Sequence, residues 1–187
     1  IGEQHVAISP LAISYRSTRQ IMEVAHHVLG PLAPAEKPTT TREGAPVELL
    51  KFGGQGEALT HVADALGDLF DREPRAGVAV LARYSHQADE AYKLLEKADL
   101  ALLHRVRDHE FSFSSGVEVA QIAQTKGLEF DYVIILAADE DTFPSDTDAS
   151  RHLLHVGMTR AAHQVWLISW GQSSKLLPED ILLGFGL

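Results

Sequence analysis

The 187 residues carry 26 Asp and Glu against 16 Lys and Arg, a formal net charge of −10, with 45% hydrophobic residues and a mean hydropathy of −0.05. That balance and length suit a folded soluble protein with a sizeable core, and nothing in it approaches the run of about 18 apolar residues a membrane helix requires. The start lacks the basic, apolar, small-residue order of a signal peptide, and the absence of Cys excludes disulfides and thiolate zinc sites, in agreement with a cytoplasmic setting.

In chain order, 6–8 and 11–13 read as short extended pieces. Ser17-x-x-Gln20 has the form of a capping box, and Ile21, Val24, Ala25 and Val28 form one helical stripe that Gly30 ends. A loop rich in Pro and Thr fills 30–46, and 47–52 reads as a strand. Ala58, Leu59, Val62, Ala65, Leu66 and Leu69 mark an amphipathic helix. A buried-type strand at 78–82 follows, then a helix presenting Ala88, Ala91, Tyr92, Leu95 and Ala98. The stretch 117–122 alternates like a strand. The continuous apolar run 132–138 suits a strand covered on both faces. A helix over 151–162 and a strand over 165–170 complete the order.

This alternation predicts an α/β fold, a mostly parallel sheet with helices on both faces and right-handed crossovers. No repeat interrupts it, so 1–187 reads as one domain.

A phosphate-binding loop needs glycines, then a Lys and a hydroxyl. No Gly-Lys pair occurs, so the chain cannot build a Walker A loop of its own. The apolar strand running into Asp139-Glu140 resembles a Walker B strand. Without a Walker A loop upstream, a solvated acidic loop holding Asp139, Glu140, Asp141, Asp146 and Asp148 is the better reading. His152 and His155 stand three apart on a predicted helix, and His26 and His27 are adjacent. With no Cys or convergent carboxylate beside them, they read as structural or surface residues rather than metal ligands.

Three stretches remain: Tyr15-Arg16-Ser17-Thr18 at a strand-to-helix junction, Thr125-Lys126-Gly127-Leu128-Glu129-Phe130-Asp131 before the apolar strand, and His155-Val156-Gly157-Met158-Thr159-Arg160-Ala161 before the last strand. Each begins or ends an element at the edge where α/β sheets gather ligands. In order and type they resemble motifs IV, V and VI of UvrD/Rep-type superfamily 1 DNA helicases, and Phe143-Pro144 follows the middle strand as a Phe-Pro does in that family. The resemblance spans about Ala12 to Trp170. It implies a RecA-like domain of the P-loop NTPase type, the second of two motor domains, in a larger protein whose N-terminal RecA-like domain carries the Walker loops and most of the Mg²⁺ ligation.

By motif position, the resemblance implies that Tyr15 stacks on adenine, Arg16 and Arg160 contact the γ-phosphate of ATP, and Glu129 accepts from the ribose hydroxyls. Gly127 belongs to the same ATP-binding set as the residue that shapes the loop, permitting a positive φ, and Lys126 lies at the surface. A guanidinium stays charged and offers a planar fork suited to phosphate oxygens. The family's Thr and His contacts to single-stranded DNA fall at Gln121 and Ala123, and the Ala can make no hydrogen bond. The acidic and paired-arginine lead-in to motif VI is Ala149-Ser150-Arg151-His152 here. The short interval between motifs IV and V resembles the compact HelD-like and helicase IV-like branch. Phe111 and Phe113, the aromatic residues nearest the DNA candidates, are expected to pack inside. The net charge opposes phosphate binding by this domain alone. It leaves two expectations for the parent protein: a DNA helicase or translocase acting on single-stranded DNA, or a HelD-like ATPase that remodels RNA polymerase.

Overall fold

The computed structural model describes residues 17–35, 40–98, 100, 102–112 and 114–183. The extended pieces expected at 6–8 and 11–13, together with Tyr15, Arg16 and Phe113, lie outside the described residues.

Six strands form one sheet: β1 (Glu48–Lys51), β2 (Gly77–Ala82), β3 (Leu103–Arg105), β4 (Gly116–Gln121), β5 (Phe130–Ile135) and β6 (Ala161–Ser169), in the spatial order β1-β6-β5-β2-β4-β3. Every strand pair in it is parallel. Among the described residues five α-helices accompany the strands: α1 (Arg19–Leu29), α2 (Gln55–Arg72), α3 (Ser85–Glu96), α4 (Asp148–Met158) and the short α5 (Glu179–Leu182). The short 3₁₀ turns are Gly30–Leu32 and Ile122–Thr125.

The alternation of strand side chains divides the core in two. Ala79, Leu81, Ala120, Val133, Ile135, Val165 and Leu167 face α1 and α4, while Val78, Val80, Val117, Val119, Ile134 and Ile168 face α2 and α3. Both faces of the central strands are therefore apolar, which is why β2 and β5 read as continuous hydrophobic runs. Parallel strands need crossovers, and most of these are helical. No α-helix stands in the β3-to-β4 connection among the described residues, nor in the β4-to-β5 connection. The latter passes through the 3₁₀ turn Ile122–Thr125, and Ile122 packs close to Gly157 of α4, where an added Cβ would lie 3.3 Å from it and 3.1 Å from Ile135.

The helix expected over 151–162 spans 148–158, and Ala161 and Ala162 open β6 instead. Two further features depart from the sequence expectation. The cap of α1 is Thr18, whose hydroxyl accepts from the Ile21 N–H at 3.4 Å. Ser17 is not the cap: its Oγ donates to the Ala161 carbonyl at 2.7 Å in the interior. Gln20 does not close a capping box either; its amide donates to Glu43 at 2.7 Å and accepts from the Gly44 N–H at 3.0 Å, clamping the segment after α1. The other departure is β3, an edge strand of three residues that no periodicity announces. It is held by pairing with β4 and by Gly116, whose φ of +123° and approach to the Leu102 carbonyl (2.5 Å from a would-be Cβ) leave no room for a side chain.

Candidate functional site

The second and third motif stretches meet at the amino ends of β5 and β6, joined there by Ser17 of the first. Arg160 immediately precedes β6, and its carbonyl accepts from the Phe130 N–H at 2.9 Å. Its guanidinium donates from Nε to Val156 O at 3.1 Å, from Nη1 to Leu128 O at 3.1 Å and from Nη2 to Thr159 Oγ1 at 3.3 Å. The fork is thus laid against the backbone that carries Glu129. Ser17, the residue after Arg16, is bonded to Ala161, the residue after Arg160. The first and third motifs are therefore stitched at one point, and the second and third at another.

Gly127 has φ +86°, as expected of the turn, and nothing lies within 4 Å of a would-be Cβ. Lys126 and Glu129 are exposed. The loop before β5 thus presents an accessible carboxylate beside the half-buried guanidinium. These positions correct one expectation. α/β sheets usually collect ligands at the carboxyl ends of their strands, but Glu129 and Arg160 stand at the amino ends. The cause is the order of elements: both residues follow a connection and precede a strand.

Gln121 lies at the opposite edge. It ends β4, paired with Ala82, while Leu81 pairs with Ile135, so it is level with the end of β5. Six strand residues at about 3.3 Å each put it roughly 20 Å from Phe130. Gln121 is half-buried, and its backbone N–H donates to Gln124 Oε1 at 3.0 Å, fixing the 3₁₀ turn. Ala123 is exposed.

The same edge carries a pair that the sequence reading missed. Tyr84, 42% exposed, stacks on His86 with ring centroids 5.7 Å apart and planes within 10°. Beside it Arg83 lies over the Tyr84 and Phe143 rings and donates to Thr142 O at 2.5 Å and to Ser150 Oγ at 2.7 Å. Two aromatic residues flanking a serine after a buried strand were the available signal. Phe111 is half-buried, against the Phe130 ring at 6.2 Å, in keeping with the expected inward packing.

The acidic loop is not solvated throughout. Asp139 is buried, and its Oδ1 accepts from the Thr142 N–H at 2.9 Å; Glu140 accepts from Ser145 Oγ at 2.6 Å and from the Lys175 N–H at 2.9 Å. Burial pushes the Glu140 carboxyl up, but those hydrogen bonds together hold it below its ordinary value. These acids shape the turn that seats Phe143, which is fully buried.

Arg151, at the position of the motif VI lead-in, donates to Val28 O at 3.1 Å and to Ser145 O at 3.2 Å, joining α4 to the end of α1. His155 does similar work: its Nδ1–H donates to Ala25 O at 3.1 Å, and burial pushes its pKa down, with the positive charge of Arg160 adding to the effect. Among the described residues no group of three His, Cys, Asp or Glu is arranged to hold a metal ion, and no helix is long and apolar enough to cross a membrane.

Residues 116–168 match the family model of the UvrD-like helicase C-terminal domain, a span containing Gly127, Glu129 and Arg160. The fold is similar to the crystal structure of the C-terminal domain of a possible DNA helicase from Lactobacillus plantarum WCFS1, with a TM-score of 0.71 and 24% identity, over 87% of this chain and 91% of that one. At that identity the likeness establishes the fold. A remoter similarity links the chain to the PRRSV helicase nsp10, with a TM-score of 0.43 and 15% identity, over 83% of this chain and 23% of that one. No curated protein matches the chain.

Proposed function

We propose that this chain is the second motor domain of an ATP-dependent DNA helicase or translocase, closing over a nucleotide held mainly by an N-terminal RecA-like domain. The observation that carries the reading is the convergence at the amino edge. Arg160 is tied to Leu128, its carbonyl to Phe130, and Ser17 to Ala161.

In this reading ATP lies against that edge, with the Arg160 fork toward the γ-phosphate, the Glu129 carboxylate toward the ribose, and Tyr15 and Arg16 supplied by the segment that leads into Ser17. Mg²⁺ is held by acids of the partner domain. Arginines that reach in from a second domain neutralise charge on the transferring phosphoryl group. Contacts that ATP offers and ADP lacks then favour the closed cleft, and that difference in affinity moves the two domains relative to each other. Single-stranded DNA runs along the opposite edge, past Gln121 and the exposed Tyr84–His86 pair, which offers bases a stacking surface.

The test uses the chain by itself and joined to its partner domain. The isolated chain, lacking any Gly-Lys phosphate loop, should show no Mg²⁺-dependent ATP turnover in a steady-state assay, and the joined protein should show it. Turnover by the isolated chain that Arg160→Ala abolishes would overturn the reading.

A further inference from the structure

The edge strand β3 ends in a buried cation. The Arg105 side chain is 6% exposed, and every arm of its guanidinium is engaged. Nε donates to Asp89 Oδ1 at 2.9 Å, Nη1 to the carbonyls of Val106 and Val119, and Nη2 to the Ser85 carbonyl and hydroxyl at 3.3 Å each. Ser85 and Asp89 stand four apart at the start of α3, so they share the helix face turned to β3. The fork thus pins the first turn of α3 to the β3–β4 edge of the sheet.

Ser85 is also the residue between Tyr84 and His86. With its carbonyl and hydroxyl held from inside, its two neighbours stay at the surface, both exposed, their rings stacked 5.7 Å apart. A buried ion pair adds little net stability over a well-packed apolar pair, so stability alone does not account for a cation at this point. A fixed backbone beneath two rings does, because a base gains most from a stacking surface that need not be ordered on binding. Resting on the reading of this edge as the path of single-stranded DNA, we infer that Arg105 is the positioning residue of the Tyr84–His86 platform. It acts on a bound base through Ser85 and touches no nucleic acid itself.

The test is a double-mutant cycle in the parent protein, read by fluorescence anisotropy with a labelled oligothymidylate. Tyr84→Ala tests the reading of the edge. Arg105→Lys keeps the charge and loses the planar fork. It should weaken binding about 3- to 10-fold, part of what one lost stack costs, and should weaken it no further once Tyr84→Ala is present. Asp89→Asn, which loosens the same fork, should show the same pattern and serves as the second arm should Arg105→Lys fail to fold. A direct phosphate contact would survive Arg105→Lys as the charge does, so wild-type affinity in that variant beside a weakened Tyr84→Ala would overturn the inference alone. An equal loss in both backgrounds would also overturn it, marking a general loosening of the fold. Wild-type affinity in Tyr84→Ala would overturn the reading of the edge, and the inference with it.

Discussion

Replacing Arg160 with lysine in the parent protein would keep the charge and lose the geometry. In the chain the guanidinium reaches Val156 O, Leu128 O and Thr159 Oγ1 at once, at 3.1, 3.1 and 3.3 Å. An ammonium on a flexible stem cannot hold that planar set and still present a fork to a phosphate. Arginines of this kind are worth about 10³–10⁵ in rate. Shared equally between Arg16 and Arg160, that implies a kcat loss of about 30- to 300-fold for Arg160→Ala, or about 2.0–3.4 kcal/mol of transition-state stabilisation. Arg160→Lys should fall within about tenfold of the alanine variant. KM for ATP should shift much less, since most ground-state contacts belong to the other domain. The three hydrogen bonds from this half-exposed cation to neutral acceptors add only about 1–2 kcal/mol to stability after exchange with water. The isolated Arg160→Ala chain should therefore melt only a few degrees lower. Steady-state ATPase of the parent protein, read beside thermal melts of the isolated chain, separates the two contributions. Wild-type kcat in the alanine variant would refute the placement of Arg160 at the phosphates. A variant already unfolded at the assay temperature would move the effect from chemistry to folding.

Two more outcomes are expected. His155 is held neutral by burial, so the unfolded chain takes up its proton at a higher pH than the folded one; the stability it contributes is complete above about pH 6.5 and is lost as pH falls below that. Thermal melts at pH 8 and pH 5.5 should show a smaller pH-dependent drop for His155→Gln than for the wild type, and an equal drop would show that His155 is not the group responsible. On the opposite edge, the isolated chain, with its net charge of −10, should bind single-stranded DNA weakly and with a shallow salt dependence. In the parent protein Tyr84→Ala should weaken that binding about 5- to 100-fold, the range of one lost base stack, measured by fluorescence anisotropy across a salt series; unchanged affinity would remove Tyr84 from the DNA path.

The residues that were legible in the sequence share a property: their signal is local. Apolar runs announced β2 and β5, stripes at helical spacing announced α1 to α3, and Lys126 to Phe130 announced a turn that the φ of Gly127 then realised. What the sequence hid depends on partners far along the chain. Ser17 looked like a helix cap because caps are judged from the next three residues, whereas its hydrogen bond goes to Ala161, 144 positions away. Asp139 and Glu140 looked solvated because no base stands among them, yet their partners are the N–H and hydroxyl groups of Thr142, Ser145 and Lys175. β3 is too short for a periodicity and exists through its pairing with β4.

The same distinction explains the misplaced edge. Motif order shows that Gln121 and Glu129 are eight residues apart, and it is the parallel pairing of β4 and β5 with β2 that sets them at opposite ends of the sheet. Between them the chain has only the 3₁₀ turn Ile122–Thr125 and the turn at Gly127, the first pressed against Gly157 of α4, the helix that ends at Met158 just before Arg160. A displacement of Gln121 by a bound strand would have no long helix in which to dissipate. Gly127, Leu128, whose carbonyl accepts from Arg160, and Glu129 all lie within the next eight residues of that segment.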